Sequence, residues 1–258
     1  MNPWDFIIAN PVLNVLIALS HFLFGQFGLA IIALTIIVRL ITWPLNNRQL
    51  KSTKALQDMQ PKIQELQKKY GKNQQKLQQE MMKLYKEAGV NPLGCLWPML
   101  IQFPIWIALY QAIMRALATT PENLLDLSHR LYSWDIVNQV IPLSSKFLWL
   151  DLGQPDPYWI LAIIVGGTTW IQQKMSQAPA VDPRQESTNR IMTLMMPLMF
   201  GFLTLMFPSG LAIYWAVSNI IGIITQYFAT GSWGYLKFRS PFPSKPAKGK
   251  QTSITEQR

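Results

Sequence analysis

One apolar run, residues 24–45 with the sequence FGQFGLAIIALTIIVRLITWPL, limits what this chain can fold into more than any other feature. At about 1.5 Å per residue, a helix of this length crosses the roughly 30 Å hydrocarbon core of a bilayer. Half of the 258 residues are hydrophobic and only 14% are charged, which excludes an ordinary soluble domain. We therefore predict an all-α polytopic membrane protein whose first transmembrane helix is this run.

A single charged residue, Arg39, interrupts the run. A basic side chain inside a spanning helix costs about 2.5–3.5 kcal/mol on insertion scales, so it suggests a function. The alternative is that the side chain snorkels to the lipid headgroups. Helical side chains lean toward the N-terminus, however, which directs Arg39 away from the polar residues that begin at Asn46. We expect Arg39 to face a hydrated space within the membrane.

Charges between the apolar runs predict the topology. Segment 46–91 holds ten basic and four acidic residues, whereas segment 119–156 holds five acidic and two basic ones. Because loops rich in lysine and arginine stay in the cytoplasm, we predict an outer N-terminus and a cytoplasmic C-terminus. The predicted transmembrane helices are 24–45, 92–118, 157–176, 191–207 and 210–230, with cytoplasmic segments 46–91 and 177–190 and extracytoplasmic segment 119–156.

Segment 46–91 has a helical pattern of its own. Apolar residues recur three and four positions apart on either side of Gly71, which predicts an antiparallel helical hairpin. Pro61 is expected to kink or restart the first arm. The first arm carries Leu56, Met59, Ile63, Leu66 and Tyr70, and the second carries Leu77, Met81, Leu84 and Ala88.

The two ends of the chain differ in character. Residues 1–23 are apolar with polar interruptions, and Val12, Val15, Leu16 and Leu19 predict an amphipathic helix lying in the outer interface, with a sixth span as the alternative. They lack the basic start and cleavage site of a signal peptide, so we expect them to be retained. Residues 231–258 are basic and proline-rich, which predicts a disordered cytoplasmic tail.

The same sequence argues against catalysis. The predicted spans contain no histidine, aspartate or glutamate, so metal sites and general-base pairs lack their side chains. Cys95 is the only cysteine, and His21 and His129 are far apart in the chain. We expect a protein that is not an enzyme and that has no cofactor.

Several hydrogen-bonding side chains nevertheless lie in the predicted spans. For any neutral one of them, a hydrogen bond to a neighbouring helix is the simpler explanation. Together with Arg39 they predict a hydrophilic groove within the membrane that holds substrate. The candidate groove residues are Arg39, Thr42, Gln102, Thr168, Thr169, Gln172, Gln173, Tyr214, Trp215, Ser218 and Asn219.

Four strings in this order carry a resemblance to a known family: FGLAIIALTIIVRLITWPLNNRQ with a basic hairpin after it, NPLGCLWPMLIQFPIWIALYQAI, TTWIQQKM and FPSGLAIYWAVSNIIGIITQY. They resemble the YidC/Oxa/Alb membrane protein insertases over nearly the whole chain. The resemblance implies five transmembrane helices around a groove that is open to cytoplasm and lipid but closed to the outside. It places the family's groove arginine at Arg39, its third-span glutamine at Gln172 or Gln173, and its last-span tryptophan at Trp215.

The resemblance also implies a function. It is insertion and folding of newly made membrane proteins in the bacterial plasma membrane, alone or with the Sec translocon. The other expected partners are nascent membrane proteins, anionic lipid and, through the basic tail, the ribosome. DNA is not an expected partner. The large extracytoplasmic domain and the lipoprotein-type signal cysteine of some members are not expected here. The alternative function is a small-anion transporter or channel with Arg39 as its binding site.

Overall fold

A computed structural model describes residues 3–71, 73–89, 97–117, 120–132, 143–176 and 183–230. The predicted disordered tail, 231–258, and the start of the predicted span 92–118 lie outside these residues. A π-helical turn, Asp5–Ala9, leads into the first α-helix. The helices are α1 Asn10–Phe22, α2 Phe27–Asp58, α3 Gln60–Tyr70, α4 Gln74–Glu87, α5 Trp97–Ala116, α6 Pro121–Arg130, α7 Ile160–Ser176, α8 Pro183–Thr204 and α9 Ser209–Thr230.

The helices are those of an all-α membrane protein. Within the described ranges, three stretches are long and apolar enough to cross a bilayer: Asp5–Phe22, Phe27–Ser52 and Ser209–Ala229. The first of these is the segment for which an interfacial helix was predicted, with a sixth span as the alternative. The arrangement of five spans stays a prediction.

Helix α9 lies at the centre of the bundle and packs against α2 and α7. Its first half is buried, from Leu211 to Ala216. Helix α8 in turn packs closely on α7. A Cβ at Gly166 would lie 3.3 Å from the Pro197 carbonyl oxygen, and one at Gly201 would lie 3.3 Å from the Ala162 carbonyl oxygen. Small residues at such crossings let membrane helices approach each other closely.

One face of helix α1 is part of the packed core. Leu13, Leu16 and Ile17 are fully buried against α2 and α5, whereas Val15 is exposed. The interfacial position predicted for this segment, with a sixth span as the alternative, stays a prediction. Asn14 is buried on the same side, where its side chain donates to the Arg130 carbonyl at 3.0 Å and accepts from the Tyr132 amide at 2.8 Å.

Helix α2 joins two segments that were predicted to be separate. It runs through the expected boundary at Leu45 and contains Pro44 in its interior. A new helix begins only at Gln60, and Pro61 occupies its first turn, where the missing N–H costs nothing. Helices α3 and α4 then pack against each other, with Ile63 buried between them and Met59 buried beside it. Helix α8 likewise starts at Pro183, within the predicted loop 177–190.

A small β-hairpin, not predicted from the sequence, covers the end of the bundle where α2 and α9 begin. Strands β1 (Lys146–Phe147) and β2 (Leu150–Asp151) pair antiparallel. The Phe147 ring lies directly over Gly28, where a Cβ would be 2.2 Å away. The Ser209 hydroxyl donates to the Asp151 carbonyl at 2.6 Å. The sequence does not reveal these strands, because two residues are too few to show a period of two.

Candidate functional site

Helix α9 presents two polar faces to its neighbours. On one face, Asn219 and Gln226 point toward α7. On the other, Tyr214 and Thr225 point toward α2 and α5. Residues seven apart share a helix face, which explains why Asn219 and Gln226 meet the same partner helix. The predicted groove residues therefore divide between two sides of one helix.

The face toward α7 is a ladder of side-chain hydrogen bonds. The Asn219 amide donates to the Thr169 hydroxyl at 2.8 Å and to the Thr168 hydroxyl at 3.1 Å. Further along, the Gln226 amide donates to the Ser176 hydroxyl at 3.0 Å. These bonds join α7 to α9, so the neutral residues of this ladder act between packed helices, which was the simpler of the two interpretations.

Gln172 lies between these two sets of hydrogen bonds. Its side-chain amide covers Gly222, where a Cβ would lie 2.5 Å from the Gln172 Nε2 atom. Gln172 thus faces α9, and Gln173 follows it as a half-buried residue of α7. Ser176 and Gln226 were not among the predicted groove residues, although each lies seven residues after a ladder residue, Thr169 and Asn219 respectively.

The opposite face of α9 connects to Arg39 and α5. Gln102 of α5 donates a hydrogen bond from its Nε2 to the Tyr214 hydroxyl. The guanidinium of Arg39 lies within electrostatic range of that hydroxyl. Ser218, one turn further along α9, is buried. Arg39, Gln102, Tyr214 and Ser218 therefore lie in one region, and their role in a groove stays a prediction.

A cavity of about 200 Å³ extends from Arg39 between α2 and α9, toward the end of the bundle opposite the β-hairpin. In the described part of the chain, the buried Nε of Arg39 has no hydrogen-bond partner. The Thr42 hydroxyl donates to the Val38 carbonyl at 2.8 Å, which is a hydrogen bond within its own helix. The cavity is lined by Arg39, Trp43, Asn46, Asn47, Leu50, Ile221, Thr225, Phe228 and Ala229.

The chemistry of this lining favours an anion. It combines one guanidinium with two amides, all of which can donate hydrogen bonds, and the lining residues include no carboxylate. The one hydroxyl, that of Thr225, donates to the Gly222 carbonyl at 3.0 Å. Trp43 and Phe228 add apolar walls. A carboxylate or phosphate group could therefore enter and meet donors without meeting a like charge.

Trp215 belongs to neither group. It is 8% exposed and lies in an aromatic cluster, with ring centroids 5.5 Å from Trp106, 5.6 Å from Phe200 and 6.0 Å from Phe207. Aromatic rings at such distances stabilise packing beyond the area that they bury. The structure thus places Trp215 where it packs α9 against α5 and α8, and it does not line the cavity beside Arg39.

Comparison with known proteins identifies the family of the chain. The model of the family described as 60Kd inner membrane protein matches residues 19–233. The chain belongs to this family. Curated relatives are named membrane protein insertase YidC, as the resemblance to the YidC/Oxa/Alb insertases implied. Family membership and the apolar helices together make it an inner-membrane protein.

Three of these relatives show how far the similarity extends. The protein of Nitratidesulfovibrio vulgaris is 37% identical over 225 residues, which are 87% of this chain and 38% of the relative. That of Actinobacillus succinogenes is 40% identical over 224 residues, 86% of this chain and 37% of the relative. That of Mannheimia succiniciproducens is 41% identical over 224 residues, 86% of this chain and 36% of the relative. The chain spans little more than a third of the length of these curated relatives.

Proposed function

We propose that this chain is a membrane protein insertase that holds the hydrophilic tail of a newly made membrane protein beside Arg39 while an apolar segment enters the lipid. The observation that carries this proposal is the Arg39 Nε, buried and without a partner in the described residues, at the edge of a cavity lined by further hydrogen-bond donors. The name shared by the curated relatives supports it.

The cavity lowers the main barrier to insertion. A polar tail that crosses a bilayer loses its hydration, and a wet cavity reaching Arg39 shortens the apolar distance that the tail must cross. An acidic group about 4 Å from Arg39 gains about 4 kcal/mol at an effective permittivity of about 20, before the cost of desolvation. Such an attraction holds a tail transiently and still allows its release.

The apolar part of the substrate would leave along α8. Met192, Met195 and Met199 of this helix are exposed, and the adjoining apolar groove between α7 and α8 has a volume of about 540 Å³. Methionine side chains are flexible and adapt to many partners, which suits a surface that receives varied helices. Burial of the substrate's apolar surface, at about 25 cal/mol per Å², supplies the free energy.

The proposed topology has five spans, an outer N-terminus and a cytoplasmic C-terminus. The cavity beside Arg39 then opens on the cytoplasmic side, and the β-hairpin covers the outer end. The proposed partners are nascent membrane proteins, the Sec translocon, anionic lipid and the ribosome.

Reconstituted vesicles test the proposal against the anion channel or transporter. Purified protein in sealed vesicles should integrate a newly synthesised single-span protein with an acidic tail, as seen by protection of that tail from added protease. The same vesicles should not release trapped chloride or phosphate. Anion release without protected substrate would contradict the insertase and favour the channel.

A further inference from the structure

Three non-glycine residues in the described part of the chain have a left-handed backbone. They are Phe24 with φ 58°, Leu148 with φ 56° and Trp159 with φ 60°. Left-handed φ is unfavourable for L-residues and most unfavourable for bulky ones. All three are large and apolar, and they are 94%, 76% and 63% exposed. Packing within the protein therefore does not offset the strain of these backbones.

At two of these positions, glycine or asparagine would form the turn with less backbone strain. Phe24 follows α1, and the amide of the next residue, Gly25, donates to the Ser20 carbonyl at 2.8 Å. In helix ends with this hydrogen bond, the residue with the left-handed backbone is usually glycine. Leu148 is the first residue of the two-residue loop between β1 and β2, where asparagine or glycine is preferred. The exposed side chains must therefore make favourable contacts outside the protein that a glycine could not make.

All three residues lie at one end of the bundle. Phe24 precedes α2, and the β-hairpin that carries Leu148 lies on Gly28 in the first turn of α2. Trp159 directly precedes α7, and the Trp149 indole of the β-hairpin donates to Asp156 just before that helix at 3.3 Å. Three separate loops thus present an exposed apolar side chain at the same level.

One buried carboxylate organises two of these loops. Asp156 is 4% exposed and accepts from the amides of Tyr158 at 3.1 Å and Leu161 at 2.7 Å, as well as from Trp149. It thereby holds the start of α7 and the tip of the β-hairpin together. Trp149 and Tyr158 are themselves exposed, and tryptophan and tyrosine are the residues enriched where a bilayer meets water.

We propose that Phe24, Leu148, Trp149, Tyr158 and Trp159, here called the outer anchor, insert into the lipid interface and fix the depth of the protein in the bilayer. Lipid is the occupant because the outer anchor continues into the apolar flank of α7, where Ile163 is 74% exposed. In the proposed topology this is the outer leaflet.

The outer anchor would set the position of Arg39. Arg39 lies about 18 Å along the axis of α2 from Phe27, in a hydrocarbon core of about 30 Å. With Phe24 held at the outer interface, Arg39 falls in the inner half of the bilayer, at the depth where its cavity connects with the opposite side. Loss of the outer anchor would let the helices shift and would change that depth.

Spin labels test this directly. Single cysteines replace Phe24, Leu148 or Trp159 in a Cys95→Ser background, and the labelled proteins are placed in vesicles of phosphatidylethanolamine and phosphatidylglycerol. All three labels should relax more strongly with oxygen, which partitions into lipid, than with a water-soluble nickel chelate. Lys146→Cys is the matched control, because Lys146 is exposed on the same β-hairpin and should give the opposite preference.

Two results would overturn the proposal. Labels at the three positions that behave like the one at Lys146 would place the loops in water. Labels shielded from both reagents would indicate a protein partner or a second copy of the chain.

A second variant tests the setting of depth. Replacing the three strained residues by glycine relaxes the backbone while removing the side chains, so the protein should fold. A label at Ile163→Cys should then report a changed depth, and an unchanged depth would exclude an anchoring role. Both measurements report position in the bilayer, so their failure would leave the proposed insertase activity untouched.

Discussion

The environment of Arg39 differs from that of Arg115 and Arg130. Arg115 and Arg130 both pair with the Asp5 carboxylate, at 2.9 and 3.2 Å, and so tie the N-terminal helix to α5 and α6. Arg39 has no carboxylate partner among the residues described. It lies within electrostatic range of the Tyr214 hydroxyl and lines a cavity. The charge of Arg39 is therefore available to an anionic group that comes from outside the chain.

Substitution of Arg39 separates an electrostatic role from a structural one. Arg39→Lys should keep much of the insertion activity, because attraction of an acidic group in a wet cavity depends more on the positive charge than on the bidentate geometry of a guanidinium. Arg39→Ala should lose most of the activity for a substrate with an acidic tail, by about tenfold or more. The measurement is insertion of one substrate with its acidic tail residues either intact or neutralised.

The neutralised tail is the control. It should be inserted about equally by the Arg39→Ala variant and the unaltered protein. If both tails lose insertion equally, and the melting temperature falls in step, Arg39 acts as part of the scaffold and the electrostatic mechanism is wrong.

Asn219 tests the hydrogen-bond ladder between α7 and α9. Asn219→Ala removes two hydrogen bonds to Thr168 and Thr169 and should destabilise the protein by about 0.6–2 kcal/mol, the range for such bonds between membrane helices. Adding Thr169→Val should cost little more, because one of its bonds is already gone. Thermal unfolding in detergent measures both. Ile220→Ala, at an exposed position on the same helix, is the control, and an equal loss there would exclude a specific role for the ladder.

At the scale of elements, α2 connects the membrane and the α3–α4 hairpin as one rod. Its 32 residues are about 48 Å long, which exceeds a 30 Å hydrocarbon core by more than three turns. The α3–α4 hairpin is held mainly by its own contacts. Lys83 donates to Glu80 at 2.8 Å on its surface, which lowers the pKa of that carboxyl below its usual value.

Removal of the α3–α4 hairpin should therefore leave the spans intact. A short linker in place of residues 60–87, with α2 retained, should give a membrane-integrated protein with nearly unchanged thermal stability. Insertion should fall severalfold if the hairpin captures substrate near the mouth of the cavity. Full insertion activity in a stable variant would disprove the capture role.

Contact between α2 and the β-hairpin depends on one glycine. Gly28→Ala would place a Cβ 2.2 Å from the Phe147 ring, so the β-hairpin must move, at a cost of about 1–3 kcal/mol. Phe147→Ala in the same chain should recover part of that loss by making room. Gly167→Ala is the control, since nothing lies within 4 Å of a Cβ there. Thermal unfolding of the four proteins tests the contact, and equal effects at Gly28 and Gly167 would contradict it.

At the scale of the whole molecule, charge is distributed unevenly along the chain. The formal net charge is +10, and the positive excess falls in segment 46–91 and in the tail, which from Lys237 holds six basic residues and one acidic one. Attraction between such segments and an anionic surface is screened by salt within about 10 Å at 0.1 M. The tail is therefore proposed to bind ribosomes or anionic lipid.

Truncation before Lys237 tests that proposal. The intact protein should co-sediment with ribosomes at low salt and progressively less as salt rises. The truncated protein should bind several times more weakly. Equal sedimentation of the two proteins would exclude the tail as the ribosome contact, and binding of the intact protein to anionic vesicles alone would assign the tail to lipid.

The sequence alone determined the class of the protein and its family resemblance. Long apolar runs, a lone Arg39 and a heptad pattern are local signals, because each depends on how a helix of that composition meets lipid or water. For this reason, the helices of the α3–α4 hairpin and the restart of a helix at Pro61 could be predicted from the sequence. The resemblance to the YidC/Oxa/Alb insertases was confirmed by the family model and the curated relatives.

The tertiary structure decided which polar and aromatic residues meet. Asn14 is buried because its amide satisfies the backbone near Arg130, and Trp215 lies among rings contributed by two other helices. In a membrane protein, hydrophobic periodicity does not distinguish a face that packs on protein from one that faces lipid, since both are apolar. Only the packed helices show that Arg39 borders a cavity while Asn219 bridges to α7, although Tyr214 and Asn219 lie close together on one helix.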